Sequence, residues 1–191
     1  MGEIHKQLSM GERRKLLELA REAIGSRLRG EEFSCDEAAL DSVLKEKRAC
    51  FVTLNEGGRL RGCIGHVLPV QELYLDVIEN AQSAAFEDPR FAPLALSEFP
   101  FLEIEISVLS VPEPFSYNTT EELIEYLAAQ KPGVILKKNG RQATFLPQVW
   151  EQIVQPEEFL TELCMKAGLA PDEWKKQVMI QIYYAEHFTL S

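Results

Sequence analysis

Behind Ser9, apolar residues recur at helical spacing. Leu16, Leu17, Ala20, Ala23, Ile24 and Leu28 share one face, and Ser9 with Glu12 three residues on makes a capping box that marks the helix start. Gly25 and Gly30 are expected to loosen this helix. A second box, Ser34 with Glu37, predicts a weaker helical stretch through Ala38, Val43 and Leu44. From Ala49 the period becomes two. ACFVTL and RLRGCIG flank Asn55-Glu56-Gly57-Gly58, which predicts a β-hairpin with a glycine-rich loop. Val70 to Phe86 returns to helical spacing through Leu73, Val77, Ala81 and Ala84 or Ala85, and it ends at DPRFAPL.

FLEIEISVLS alternates strictly, with Leu102, Ile104, Ile106 and Val108 facing one way and Glu103, Glu105 and Ser107 the other, as a half-buried strand requires. The prolines of VPEPF end it. Thr119 with Glu122 then caps a helix bearing Leu123, Ile124, Leu127 and Ala128. GVILKK and RQATF flank an Asn139-Gly140 turn, a second hairpin signal. A helix from Glu157 to Ala167, with Phe159, Leu160 and Leu163 inside and Gly168 past its end, precedes QVMIQIYYAEHF, read as one last strand. Hairpins mixed with helices, rather than repeated β-α-β units, predict an α+β fold with a largely antiparallel sheet packed with helices. Residues 1–191 are expected to form a single domain whose seam, if it has two lobes, lies near 111–115.

The chain has 191 residues, 46% of them hydrophobic, which suffices for a core and is too apolar for disorder. Its 30 acidic and 20 basic residues leave a net charge of −10, and the basic clusters Arg13-Arg14-Lys15 and Lys137-Lys138 are diluted by acids nearby. Nucleic acid is therefore not an expected partner. No run approaches the roughly 20 apolar residues of a membrane span, and the N-terminus has no signal-peptide core, so no membrane partner and a cytoplasmic location are expected. Cys35, Cys50, Cys63 and Cys164 form no C-x-x-C pair and are expected to be reduced.

Candidate chemistry concentrates in Leu60-Arg61-Gly62-Cys63-Ile64-Gly65-His66. In a regular strand Arg59, Arg61 and Cys63 share one face and Leu60, Gly62 and Ile64 the other. A guanidinium beside a thiol favours the thiolate, and the glycines let a ligand or another backbone approach. The alternative is a small core cysteine with glycines accommodating a helix that crosses the sheet. A cysteine nucleophile needs a base, and the histidines are His5, His66 and His187, with Glu103, Glu105 and Glu186 as carboxylate alternatives. Cys63-x-x-His66 with Cys50 offers at most three zinc ligands where a closed site wants four, so no metal is expected. Phosphate-binding glycine patterns are absent too, so no nucleotide cofactor is expected. Glu87-Asp88-Pro89-Arg90-Phe91-Ala92-Pro93, with two rigid prolines, reads as a structural Asp-Pro turn with a local ion pair or, alternatively, as a ligand loop, and Phe145 to Trp150 as core or as a partner-binding patch.

Taken together, FVTL, RLRGCIG, DPRFAPL, LEIEISVLS followed by PEPF, GVIL, ATFLPQVW and FLTELCMKAGL make the chain resemble the AMMECR domain family, also called AmmeMemoRadiSam system protein A, from about Arg13 to His187. The resemblance implies a larger and a smaller lobe with LRGCIG close to the cleft between them. It also implies a setting beside a Memo-like protein and a radical SAM enzyme. Carried over by position, the motifs single out Leu60, Arg61, Gly62, Cys63, Ile64 and Gly65, then Asp88, Arg90 and Phe91; His66 lies outside, because other members place different residues there. The expectation is an enzyme or enzyme component with Cys63 as nucleophile or redox-active thiol and Arg61 stabilising the thiolate or a small anionic ligand. The alternative is a non-catalytic adaptor for the same two partners, using the apolar segments Phe91 to Leu96 and Phe145 to Trp150.

Overall fold

A computed structural model describes residues 7–189. His5 lies outside the described residues. The chain divides into two compact units, residues 1–111 with 186–191 and residues 112–185.

The first unit opens with α1 (Met10–Arg29), where the Ser9 hydroxyl accepts from the Glu12 amide and the Glu12 carboxylate receives the Ser9 amide at 2.6 Å. The capping box is closed in both directions. Gly25 does not end this helix, because it sits within it against the Phe99 ring; Gly30, in the left-handed region at φ 71, does. The stretch expected to be helical from Ser34 forms two short 3-10 turns instead, Glu37–Ala39 and Ser42–Lys45, and Asp36 rather than Ser34 caps the first. Only Val43 and Leu44 of these turns are buried, too little apolar face to support a longer helix.

Strands β1 (Cys50–Glu56) and β2 (Arg59–Gly65) form the first hairpin, with Gly57 and Gly58 both at positive φ as a two-residue turn of matching twist requires. The register slips between Leu54, opposite Gly62, and Asn55, opposite Leu60, so Arg61 is an extra residue in β2. After α2 (Leu73–Phe86) comes β3 (Leu102–Leu109), antiparallel to β1. The sheet order is β2-β1-β3-β8, with β8 spanning Ala185–Thr189. Leu16, Leu17 and Ile24 of α1 and Leu73, Val77 and Ala81 of α2 form one core with Val52, Leu54, Ile104 and Ile106 of the sheet. In β3 the alternation holds for Leu102, Ile104, Ile106 and Val108, but Ser107 and Leu109 are buried as well. Its last turn of pleat is covered on both faces.

The second unit carries β4 (Glu113–Phe115), α3 (Thr120–Gln130), β5 (Gly133–Lys138), β6 (Arg141–Phe145), α4 (Pro156–Lys166) and β7 (Met179–Tyr183). Its antiparallel sheet has the order β4-β7-β5-β6, and Asn139 and Gly140 take the positive φ values of the β5–β6 turn. Trp150 is buried, stacks on Phe159 at 3.8 Å and donates its indole N–H to the Pro132 carbonyl, so Phe145 to Trp150 ends in the core. The last strand expected from QVMIQIYYAEHF is two strands, interrupted at Tyr184. β7 joins the second sheet and β8 the first. A period of two continues through the break, so alternation alone could not reveal it.

Gly62 is where α2 comes closest to the sheet: a Cβ there would stand 2.1 Å from the Ala84 carbonyl oxygen, which is helix backbone and cannot rotate away. Gly62→Ala is expected to lower unfolding stability by more than about 2 kcal/mol, as overpacking against backbone does. Urea unfolding measures it, and a loss under about 0.5 kcal/mol would show that α2 and β2 are free to separate.

Candidate functional site

β2 is an edge strand, and an edge leaves amides and carbonyls without ladder partners. The loop after α2 supplies them at Cys63. The Cys63 amide donates to Asp88 Oδ2 at 2.9 Å, and Arg90 Nη2 donates to the Cys63 carbonyl at 3.3 Å. Asp88, its side chain 2% exposed, also accepts from Arg90 Nε at 2.9 Å, Arg90 Nη2 at 2.6 Å and the Arg90 amide at 3.1 Å. The Arg90 guanidinium, with help from the two amides, holds the Asp88 carboxyl well below the usual carboxylate range against the opposing effect of burial. The Asp-Pro turn thus carries its local ion pair, and the same carboxylate binds a strand edge that sequence spacing could not indicate.

Arg61 is engaged in the same loop. Its Nε and Nη2 reach Glu98 Oε1 and Oε2 at 2.7 and 3.2 Å, and Nη2 also reaches the Ala92 carbonyl at 2.9 Å. The bond to Glu98 raises the guanidinium's pKa and that to Arg61 lowers the carboxyl's. Phe91 lies beneath both cations, 5.8 Å from Arg61 and 5.4 Å from Arg90.

The extra residue at Arg61 changes which side chains share a face. Cys63 lies opposite Thr53 and Leu60 opposite Asn55, so exposed Leu60, and not Arg59, shares the face of Cys63. Gly62 and Ile64, opposite Leu54 and Val52, turn toward the core, and Gly65 leaves room for Phe51. The Cys63 sulfur is half-buried and accepts from the Thr53 hydroxyl at 3.3 Å. The ion pair of Arg61 is with Glu98, and the guanidinium bonded to the Cys63 backbone is that of Arg90.

Among the described residues no proposed base reaches the thiol. His187, on β8, has Nδ1 2.8 Å from the Ser107 hydroxyl and lies three strand spacings from β2, about 14 Å. Glu103 and Glu105 lie two spacings away on β3, and Glu186 pairs with Arg13 at 2.6 Å. His66 lies three residues from Cys63 on the opposite face, where its Nδ1 is 2.6 Å from Asp76. That separation also dissolves the zinc half-site. Among the described residues no group of three histidine, cysteine or acidic side chains could hold a metal ion.

Sequence reasoning missed Asp76 and Asn80, both fully buried on α2. A signal was available: they stand at i and i+4 within the stripe of Leu73, Val77 and Ala81, two polar residues on a core-facing surface. Their partner His66 is set by tertiary structure. Grooves of about 570 and 300 Å³ lie elsewhere, the first lined by Ile124, Thr161 and Trp174, the second by Arg21, Gly25 and Phe99. Among the described residues no helix is long and apolar enough to cross a membrane.

The AMMECR1 family matches residues 17–188. A Methanothermobacter thermautotrophicus protein is 39% identical over 170 residues, 86% of each chain, and a Thermoplasma acidophilum protein is 38% identical over 192 residues, 98% of this chain and 91% of the other. The crystal structure of the uncharacterized protein PH0010 from Pyrococcus horikoshii is similar with a TM-score of 0.82 at 35% identity, over 95% of this chain and 93% of that one.

Asp88 makes stability depend on acid. Its folded-state pKa is depressed, so its contribution is fully present above the ordinary carboxylate range, near 3.9, and is lost as pH falls below that range toward the folded value. Asp88→Asn is expected to cost about 1–3 kcal/mol at neutral pH, with the gap from the parent narrowing as the solution is acidified below about pH 4. Denaturant titrations at several pH values check this, and a gap constant with pH would mean that the carboxylate charge contributes nothing.

Proposed function

The chain belongs to the AMMECR1 family, and on that footing we propose that it is a cytoplasmic enzyme component whose reactive group is the Cys63 thiol, working as system protein A beside a Memo-like protein and a radical SAM enzyme. The observation that carries this reading is what the motif leaves over. Asp88 and Arg90 pin the Cys63 main chain, Arg61 is spent on Glu98, and Gly62 admits α2, while the sulfur keeps partial exposure on an immobilised strand. A rigidly presented thiol loses little entropy on reaching a reactive geometry, and the Thr53 hydroxyl is a donor for whichever state of the sulfur carries charge. Since the bases named above do not reach the thiol among the described residues, the proton acceptor comes from the substrate or a partner, as joint action requires. Arg90, whose side chain is 53% exposed, is better placed than Arg61 to receive a small anionic ligand beside the thiol.

A second reading, a non-catalytic adaptor for the same partners, is favoured by the same bookkeeping of bonds. Arg61, Asp88 and Arg90 all serve to hold the loop on the strand edge.

Limited alkylation separates the two. Burial raises the thiol pKa of Cys35, Cys50 and Cys164, so at neutral pH iodoacetamide is expected to label Cys63 first and fully buried Cys50 last. Peptide mass mapping over a time course reads the order. Labelling of Cys63 no faster than that of Cys35 would leave the adaptor reading, as would a Cys63→Ala chain that keeps full partner-dependent activity.

A further inference from the structure

On the face of the first sheet away from Cys63, His66 is held like the base of a catalytic dyad. Its Nδ1 lies 2.6 Å from Asp76 Oδ1, and the Asp76 side chain is 1% exposed. The two carboxylate oxygens also receive the Cys50 amide at 2.9 Å, Asn80 Nδ2 at 3.0 Å and Gln71 Nε2 at 3.2 Å. Three of these neighbours can only donate toward Asp76, so the carboxylate is the acceptor of the cluster, and a neutral His66 ring meets it with Nδ1–H. That tautomer leaves the lone pair on Nε2. The His66 amide donates to the Cys50 carbonyl at 3.0 Å, which fixes the residue at its main chain as well, yet the side chain is 38% exposed. The loop that follows carries Leu68 and Val70, 48% and 60% exposed, two and four residues after His66.

A purely structural tie between β1 and α2 needs only the Asp76 bonds to the Cys50 amide and to Asn80. The imidazole adds a half-exposed group to it. Asn80 Oδ1 is buried and accepts no bond among the described residues. The titratable groups around the ring are Asp76, the Cys50 thiol across Asn80, and Glu79 through Gln71.

We propose that His66 and Asp76 form a general-base site, separate from Cys63, which removes a proton from a neutral protic nucleophile, water or an alcohol, as it attacks an uncharged ester lying over Leu68 and Val70. His66 is the catalytic residue and Asp76 the positioning residue. With water, its O–H bond breaks and the proton passes to Nε2 while the new C–O bond forms. The bond to the leaving oxygen then breaks and that oxygen takes the proton back from Nε2. Ester and water give acid and alcohol, and the imidazole returns to its starting state. Asp76 and, through Gln71, Glu79 make the surroundings of this ring acidic, unlike the Arg90 side of the sheet, so an anionic acyl compound is disfavoured here.

The test uses the full chain with accessible thiols blocked by methyl methanethiosulfonate, so that Cys63 takes no part, and p-nitrophenyl acetate as the probe. The protein-dependent rate is expected to rise with pH along the titration of a single group. His66→Gln, whose amide can still donate to Asp76, is expected to lower it at least about tenfold, and Asp76→Asn, which releases the tautomer, to a similar degree with the circular dichroism unchanged. If Asp76→Asn fails to fold, diethyl pyrocarbonate on the unmodified chain decides by mass mapping, with His66 expected to react faster than His187. A His66→Gln chain with the parent rate, or slower modification of His66 than of His187, overturns the proposal.

Discussion

A buried carboxylate at the end of a helix holds the most chemically dense part of this molecule together. Asp88 follows α2 by two residues and accepts from the Cys63 amide on the free edge of β2, and Arg90 on the same loop closes the circuit through the Cys63 carbonyl. Burying that charge is costly, and it is offset because four donors converge on it. The rest follows from this constraint. With the loop fixed, Glu98 and the Ala92 carbonyl meet Arg61; with the strand fixed against α2, residue 62 must be glycine; and with its main chain immobile, Cys63 presents its sulfur in one orientation.

Strand geometry then separates two chemistries that sequence proximity suggests are one. Cys63 and His66 are three residues apart and so point to opposite faces, the thiol to Thr53 and the imidazole to Asp76. The extra residue at Arg61 has a related effect, turning Arg59 away from the thiol's face and Leu60 toward it. A thiol with no base among the described residues and a histidine provided with a carboxylate are two separate resources on two sides of one sheet.

The legible parts of the sequence were those set by local physics. Ser9 with Glu12, Gly57 with Gly58, and Asn139 with Gly140 specify caps and turns through bonds and φ values confined to a few residues. Ser34 with Glu37 shows the limit: the box is present, but too few apolar residues follow for tertiary packing to sustain a helix. At the site, the residues of LRGCIG were recognisable by type, whereas their partners Glu98, Thr53 and Asp88 lie 10 to 37 positions away. Asp76 and Asn80 were visible as polar residues in an apolar stripe, but the histidine they meet was not.

By itself the sequence determined the α+β class, the two hairpins, most helix limits and the family, because these rest on periodicity, turn chemistry and motif order within short windows. Tertiary structure decided which strands share a sheet, why one alternating run serves two of them at Tyr184, and which guanidinium, carboxylate or imidazole stands beside each cysteine. The physical reason is range. Caps and turns are closed by neighbours in the chain, whereas an edge strand's bonds and a buried charge's donors are satisfied by whatever the packed core brings near, and a single inserted residue in a strand exchanges one face for the other.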